Sequence, residues 1–313
     1  MFTRPILILL LALVAMPVAA DAVRKQEPSK PAPATTSAAA EEIVVQVDQI
    51  SGPVYMLTGR GGNIGLCIGD DGVFMVDDQY APLTPAIRQA IAQITDDPVR
   101  FVLNTHWHSD HTGGNENFGE LGAVIVAHDK VRERLASDQF MPFMDRQVPA
   151  SPPGALPVVT FNDAVTFHMN DNTIRAFHVA GAHTDGDAIV HFDTADVVHM
   201  GDVFWNGVYP FIDTHSGGSI RGMIAAVDVS LAIIGEGTAV IAGHGPLGDR
   251  TALVAYRDML QGVADRIQTL IDEGKSLEEI QAAAPTSDWD GEWGNGFIKP
   301  EAFVRMIHED LSD

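Results

Sequence analysis

The stretch "VLNTHWHSDHTGGN", Val102 to Asn115, places three histidines and one aspartate within six residues. His106 and His108 are two apart, so at the end of an extended strand their rings point the same way and can reach one metal ion. Asp110 and His111 follow once the chain turns at Ser109, where they can face a second ion beside the first. Burying so many titratable groups without partners is costly. Coordination offsets that cost and requires neutral imidazoles and ionised carboxylates. Any fold for this chain must therefore deliver a strand end into a tight loop and bring further ligands to it.

Later segments supply those ligands. "VAGAHTDGD" presents His183, "VVHMGDVFW" presents Asp202 and "VIAGHGPLG" presents His244, each after an apolar run and close to glycine, which allows a sharp turn at a sheet edge. From residue 42 the chain reads as short β-branched runs punctuated by Gly and Asp: "IVVQV", "VYML", "IGLCIG" and "GVFMVDD". "TPAIRQAIAQI" has helical spacing, "VRFVLNT" runs as a strand into the histidine cluster, and "AVIVAH" and "DKVRERLA" repeat the strand and helix. Residues 137–157, with clustered prolines, read as a long irregular loop. The strands "VVTF", "AVTFHM", "TIRAFHVA", "AIVHF" and "VVHMGD" follow, then the helix "SIRGMIAAVDVSLAIIG", the strand "TAVIAG", and helices near 250–273, 276–284 and 300–311. Strands lead and helices follow in both halves. That order predicts an α/β (α+β) domain over 42–313, two sheets packed together with helices outside.

His106-x-His108-x-Asp110-His111, followed in order by His183, Asp202 and His244, resembles the metallo-β-lactamase superfamily of metal-dependent hydrolases over residues 43–260. The resemblance implies an αββα sandwich of two mixed sheets with metals at one edge. It implies that His106, His108 and His183 hold one zinc, that Asp110, His111 and His244 hold a second, and that Asp202 bridges them. It also implies that Asp77 in "VFMVDD" steadies the metal loop without binding metal. Five imidazoles and two carboxylates without thiolate suit two Zn2+ per subunit, with iron and manganese as alternatives. The iron-using redox branch typically carries Glu where this chain has His108, which argues against reduction of oxygen or nitric oxide. Two ions about 3.5–4 Å apart activate water for attack on an acyl carbon. The resemblance gives Asp110 the role of orienting that water and passing a proton to the leaving group.

The remaining histidines have structural readings: His168, His178, His191 and His199 lie in alternating strands, and His128 and His308 lie beside helices. Cys67, the single cysteine, reads as a small buried hydrophobe, and no intrachain disulfide can form. Phe204, Trp205, Tyr209, Phe211 and His215 in "DVFWNGVYPFIDTHSGG", with Phe140 and Phe143 from the proline-rich loop, are expected to wall a substrate pocket. Trp205 stands where zinc β-lactamases of the cysteine-ligand type carry a Lys that grips the substrate carboxylate. An anionic β-lactam is therefore expected to find no cationic anchor.

Composition narrows the partners. The net charge of −23 repels nucleic-acid phosphates and anionic membrane faces, and no basic cluster relieves it, so nucleic acid is not an expected partner, and the resemblance to hydrolases implies a small-molecule substrate. "MFTRPILILLLALVAMPVAA" has Arg4, an apolar run from Ile6 to Met16 and small residues at Val18 and Ala20. It reads as a signal peptide over 1–20, too short to span a bilayer, followed by a flexible Pro/Ala-rich linker over 21–41. The expected location is periplasmic or secreted. The expected function is a periplasmic dizinc hydrolase with β-lactamase activity. The alternatives are a lactonase- or glyoxalase II-like lactone, ester or thioester hydrolase and, from another class, a zinc-binding protein without catalysis.

Overall fold

The computed structural model describes residues 44–312, so the expected signal segment and linker lie outside the described residues. An antiparallel meander of β1 (Gln46–Ser51), β2 (Val54–Thr58), β3 (Ile64–Gly69) and β4 (Gly72–Val76) opens the fold. Helix α1 (Thr84–Ile91) crosses to β5 (Val99–Leu103), which lies parallel to β4. The single turn α2 (Ser109–Thr112) and α3 (Asn115–Glu120) lead to β6 (Val124–His128) and α4 (Asp129–Leu135). The stretch 137–157, read from its prolines as irregular, contains a hairpin of β7 (Gln139–Met141) and β8 (Arg146–Val148). Strands of three residues carry too little alternation to be seen in a sequence. β9 (Val159–Phe161) completes a seven-stranded sheet in the order β1-β2-β3-β4-β5-β6-β9.

The second sheet is built from β10 (Ala164–Met169), β11 (Asn172–His178), β12 (Ala188–Phe192) and β13 (Val197–His199), all antiparallel. Helix α5 (Ile220–Ile233) returns the chain, so that β14 (Ala239–Ile241) pairs parallel to β13, and β15 (Gly248–Asp249) ends the sheet. α6 (Arg250–Asp272), α7 (Leu277–Ala282), α8 (Asp290–Trp293) and α9 (Pro300–Ser312) close the chain.

Side-chain alternation sorts these strands into layers. Phe74, Val76, Leu103 and Val126 of the first sheet meet Ile174, Val190, Phe192 and Val197 of the second in one buried cluster between the sheets. Their neighbours Val73, Met75, Val102 and Ile125 face the other way, onto Ile87 and Ile91 of α1 and Phe118 of α3. On the far side Ile189 and Val198 pack against Met223 and Val227 of α5, Leu260 and Val263 of α6, and Phe303 and Ile307 of α9. This is the αββα sandwich expected from the sequence, and burial of each large apolar side chain contributes about 1.5–3 kcal/mol. Cys67 is fully buried in the middle layer, where burial pushes its thiol up to about 11. Among the described residues no helix is long and apolar enough to cross a membrane.

Candidate metal centre

Strand direction brings the metal-ligand candidates to common edges. β4, β5 and β6 are mutually parallel, and in the second sheet β11, β13 and β14 run the same way. The loops after β5, β11, β13 and β14 carry the candidate ligands. Asn104 and Asn115, both fully buried, close the loop after β5 on itself by exchanging side-chain amide hydrogen bonds of 3.0 and 2.9 Å. Between them His108 precedes α2, whose one turn carries Asp110 and His111.

The seven candidates gather in two groups. His106, His108, His183 and Asp202 form one, and Asp110, His111 and His244 the other, with ligand atoms inside each group within 4.8 Å of one another. Asp202 serves both: its Oδ2 lies 3.8 Å from His106 Nε2 and 3.5 Å from His183 Nε2, while its Oδ1 lies 3.0 Å from His111 Nε2 and 3.4 Å from His244 Nε2. Asp110 Oδ2 approaches His244 Nε2 at 3.2 Å and His111 Nε2 at 3.7 Å.

Outer hydrogen bonds orient four of the rings. His111 Nδ1 donates to Asp77 Oδ2 at 2.7 Å, and His183 Nδ1 donates to the Phe211 carbonyl at 2.8 Å. His106 Nδ1 donates to Thr105 Oγ1 at 3.1 Å, and that hydroxyl donates onward to Asp77 Oδ2 at 2.8 Å. His108 is turned the other way, with Nε2 donating to Asp213 Oδ2 at 3.0 Å. Each ring therefore aims a lone pair inward. His108 Nδ1 lies 3.1 Å from His106 Nε2 and 2.9 Å from His183 Nε2, a convergence of acceptors that a cation satisfies. Asp202 Oδ1 is buried facing the imidazole nitrogens of His111 and His244, a second mark of the same fit. The donor set of imidazole and carboxylate suits a divalent metal.

Close approach requires glycine at two points. A Cβ on Gly62 would sit 2.1 Å from His111 Cε1, and one on Gly243 would sit 2.1 Å from Asp202 Oδ1. Asp77, at φ 62, accepts from Thr105 N at 2.7 Å as well as from His111, so strand end and loop share one carboxylate.

The two groups differ electrically. Burial disfavours charge on His106 and His183, and it carries His106 well below the ordinary imidazole value and His183 to about 4. Burial opposes charge on His111 and His244 too, but Asp202 and Asp110 outweigh it, raising His111 and carrying His244 to about 9. For Asp110, burial is overcome by His111 and the His244 hydrogen bond, and its carboxyl falls to about 2. Asp202 is likewise held well below the ordinary carboxylate range: burial works against it, and His111, His244 and His106 prevail.

A cavity of about 670 Å³ opens onto the centre, lined among others by Tyr80, Trp107, Asp110, Trp205, Phe211 and His244. Trp205 lies over His244, ring centres 4.3 Å apart. The other expected wall residues lie elsewhere. Tyr209 is fully buried, stacked on Phe303 at 4.5 Å and hydrogen-bonded to Asp290 at 2.9 Å, so it belongs to the core. Phe204 is buried against Tyr256. Phe143 and His215 line a separate, smaller depression, although Phe143 touches Phe211 at 5.3 Å. Phe140 pairs across the hairpin with Gln147 and is not among the cavity's residues. The direction of a loop side chain depends on what packs against the loop, which a segment without a helical or strand period does not carry in its sequence.

Asp213 was missed. It sits two residues before His215, and the signal for it is indirect: a ligating imidazole needs an acceptor for its other N–H. Three arginines in the cavity wall, Arg60, Arg134 and Arg146, also correct the expectation of a site without cations. The remaining histidines are held structurally where partners are seen. His199 Nε2 donates to the Asn63 carbonyl at 3.0 Å, His191 pairs with Asp193 at 2.8 Å, and His128 stacks on His178 at 3.9 Å.

Residues 57–258 match the family model of the metallo-beta-lactamase superfamily. A hydroxyacylglutathione hydrolase of Polaromonas sp. (strain JS666 / ATCC BAA-500) is 29% identical over 222 residues, covering 66% of this chain and 76% of that one. One from Erythrobacter litoralis (strain HTCC2594) is 30% identical over 146 residues, 44% of this chain and 49% of that one. Among solved structures, a metallo-beta-lactamase from Pontibacter korlensis superposes with a TM-score of 0.57 at 19% identity, covering 69% of this chain and 99% of that one. The sec-alkylsulfatase Pisa1 from Pseudomonas sp. gives 0.64 at 17% identity, covering 85% and 50%.

Proposed function

This chain belongs to the metallo-beta-lactamase superfamily and is a metal-dependent hydrolase, and from that premise we propose that it holds two zinc ions and opens a thioester, ester or lactone. The observation that carries this reading is the pair of Asp202 oxygens, each turned to a different group of ligands. A shared carboxylate of this kind suits a two-ion site. The name of the relatives, hydroxyacylglutathione hydrolase, supports a thioester among these substrates. His106, His108 and His183 would hold one ion, and Asp110, His111 and His244 the other. Two such ions, when bound, supply polarisation of the acyl oxygen and an acidified water.

The chain's own residues do the rest. Asp110, ionised and open to the cavity, takes a proton from the attacking water and delivers it to the departing sulfur or oxygen. The new bond joins water oxygen to acyl carbon as the acyl–leaving group bond breaks. Trp205 over His244 and Trp107 beside His108 set apolar rings against the ligands. Opening of a β-lactam is a second reading, favoured by the size of the cavity and the arginines in its wall. The leader-like segment 1–20 supports a periplasmic or secreted setting for either.

Metal analysis of the purified protein by mass spectrometry should give two zinc ions per chain. Hydrolysis assays on a glutathione thioester, an acyl-homoserine lactone and a chromogenic cephalosporin should show turnover of at least one of the first two. One ion per chain would remove the two-ion reading, and zinc without turnover of any of the three would favour a non-catalytic zinc-binding protein.

A further inference from the structure

Resting on that reading and sharpening its substrate class, we propose that Arg146 binds a carboxylate that the substrate carries beyond the bond to be cleaved. The register of the hairpin carries the placement. Met141 pairs with Arg146 and Gln139 with Val148, so Arg146 and Val148 share the face of Met141, while Phe140 and Gln147 share the other. Met141, Arg146 and Val148 all line the cavity that holds Asp110, Trp205 and His244.

Arg134 and Arg146 have different work. Arg134 is committed: it grips both oxygens of Asp185 at 2.7 and 2.8 Å and donates to Gln139 Oε1 at 3.1 Å, which ties α4 to the base of the hairpin. Ala150 N closes the same base by donating to Asp138 Oδ1 at 2.9 Å, and Phe143 at the tip rests on Phe211. The hairpin is thus held at both ends. The Arg146 guanidinium makes no hydrogen bond or ion pair among the described residues, and its charge reaches the Tyr80 phenol, which also senses Asp110.

A guanidinium is a planar fork matched to a carboxylate, and its bonds to one are charge-assisted. In a chain of net charge −23, an arginine that leaves every carboxylate of its own protein and faces a cavity is placed for an acid from outside. Trp205, Phe211 and Phe297 line the same cavity and would hold an apolar group of that substrate.

The test uses the zinc-loaded protein and two probes, N-(mercaptoacetyl)phenylalanine and its carboxamide. Each carries a thiol to anchor at the metal centre, and they differ in one negative charge. Calorimetric titration of wild type should show the acid bound about ten- to a hundredfold more tightly than the amide. Arg146→Met should abolish that preference, Arg146→Glu should reverse it, and Gln147→Met on the outer face should leave it intact, all with unchanged zinc content. Absence of the preference in wild type overturns the proposal. So does an equal weakening of both probes by Arg146→Met, the result expected of a side chain that only shapes the cavity or attracts the thiolate common to both. Hydrolysis of an acidic acyl substrate and its methyl ester, measured in parallel, separates the two readings. No turnover of either with the acid preference intact removes the hydrolase chemistry and leaves Arg146 in its role; turnover without the preference does the opposite.

Discussion

His106, His108, His183 and Asp202 are closed off from solvent, whereas Asp110 and His244 keep 21% and 23% of their side chains exposed. The closed group has every imidazole anchored from behind, by Thr105, Asp213 or the Phe211 carbonyl, and burial holds His106 and His183 neutral. In the open group only His111 has such an anchor among the contacts described, and the carboxylates around it favour protons on both rings. One group is prepared for a cation; the other must first give up protons. The difference teaches that adjacent ligand sets of similar composition can differ in affinity through burial and outer hydrogen bonds alone.

Asp202→Ala should erase the difference altogether, because both groups lose the carboxylate they share. Metal analysis is expected to show both ions depleted and hydrolysis reduced to the level of the metal-free protein; two retained ions would separate Asp202 from the centre. Gly62→Ala should strike the open group alone. The added methyl meets the His111 ring, which Asp77 prevents from yielding, so the protein should keep one ion and lose about 1–3 kcal/mol of stability in denaturant titration. Loss of both ions there would mean the groups are not independent.

Acid should separate the groups without mutation. A protonated imidazole has no lone pair to give, and the His244 value of about 9 means that the open group binds metal only by releasing a proton at any lower pH. His111 is raised as well, so up to two protons leave on binding, and affinity should fall about tenfold to a hundredfold per pH unit, by at least roughly a hundredfold from pH 8 to pH 6. His183, at about 4, begins to compete only near that pH, so the closed group should keep its ion throughout. Equilibrium dialysis across this range tests the order, and simultaneous loss would contradict it. The smallest effect is expected from Asp213→Asn, which weakens the anchor of His108 while keeping its shape. Affinity at the closed group should drop about tenfold, toward the low end for such outer contacts, with the open group unchanged.

The ligand types and their order along the chain were legible before any fold was known, because a run such as His106-x-His108-x-Asp110-His111 is chemically expensive and strand ends followed by glycine announce themselves. The strand and helix alternation was equally legible, since the apolar periods are local properties. Tertiary structure alone decided that Asp213 would back His108, that Arg146 would turn into the cavity, and that Tyr209 would go to the core. Asp213 and Tyr209 lie in an irregular loop with no period to read, and Arg146 owes its face to the register of its hairpin with Met141, where a shift of one position would turn it away. Periodicity is written into a segment; register and partnership exist only between segments.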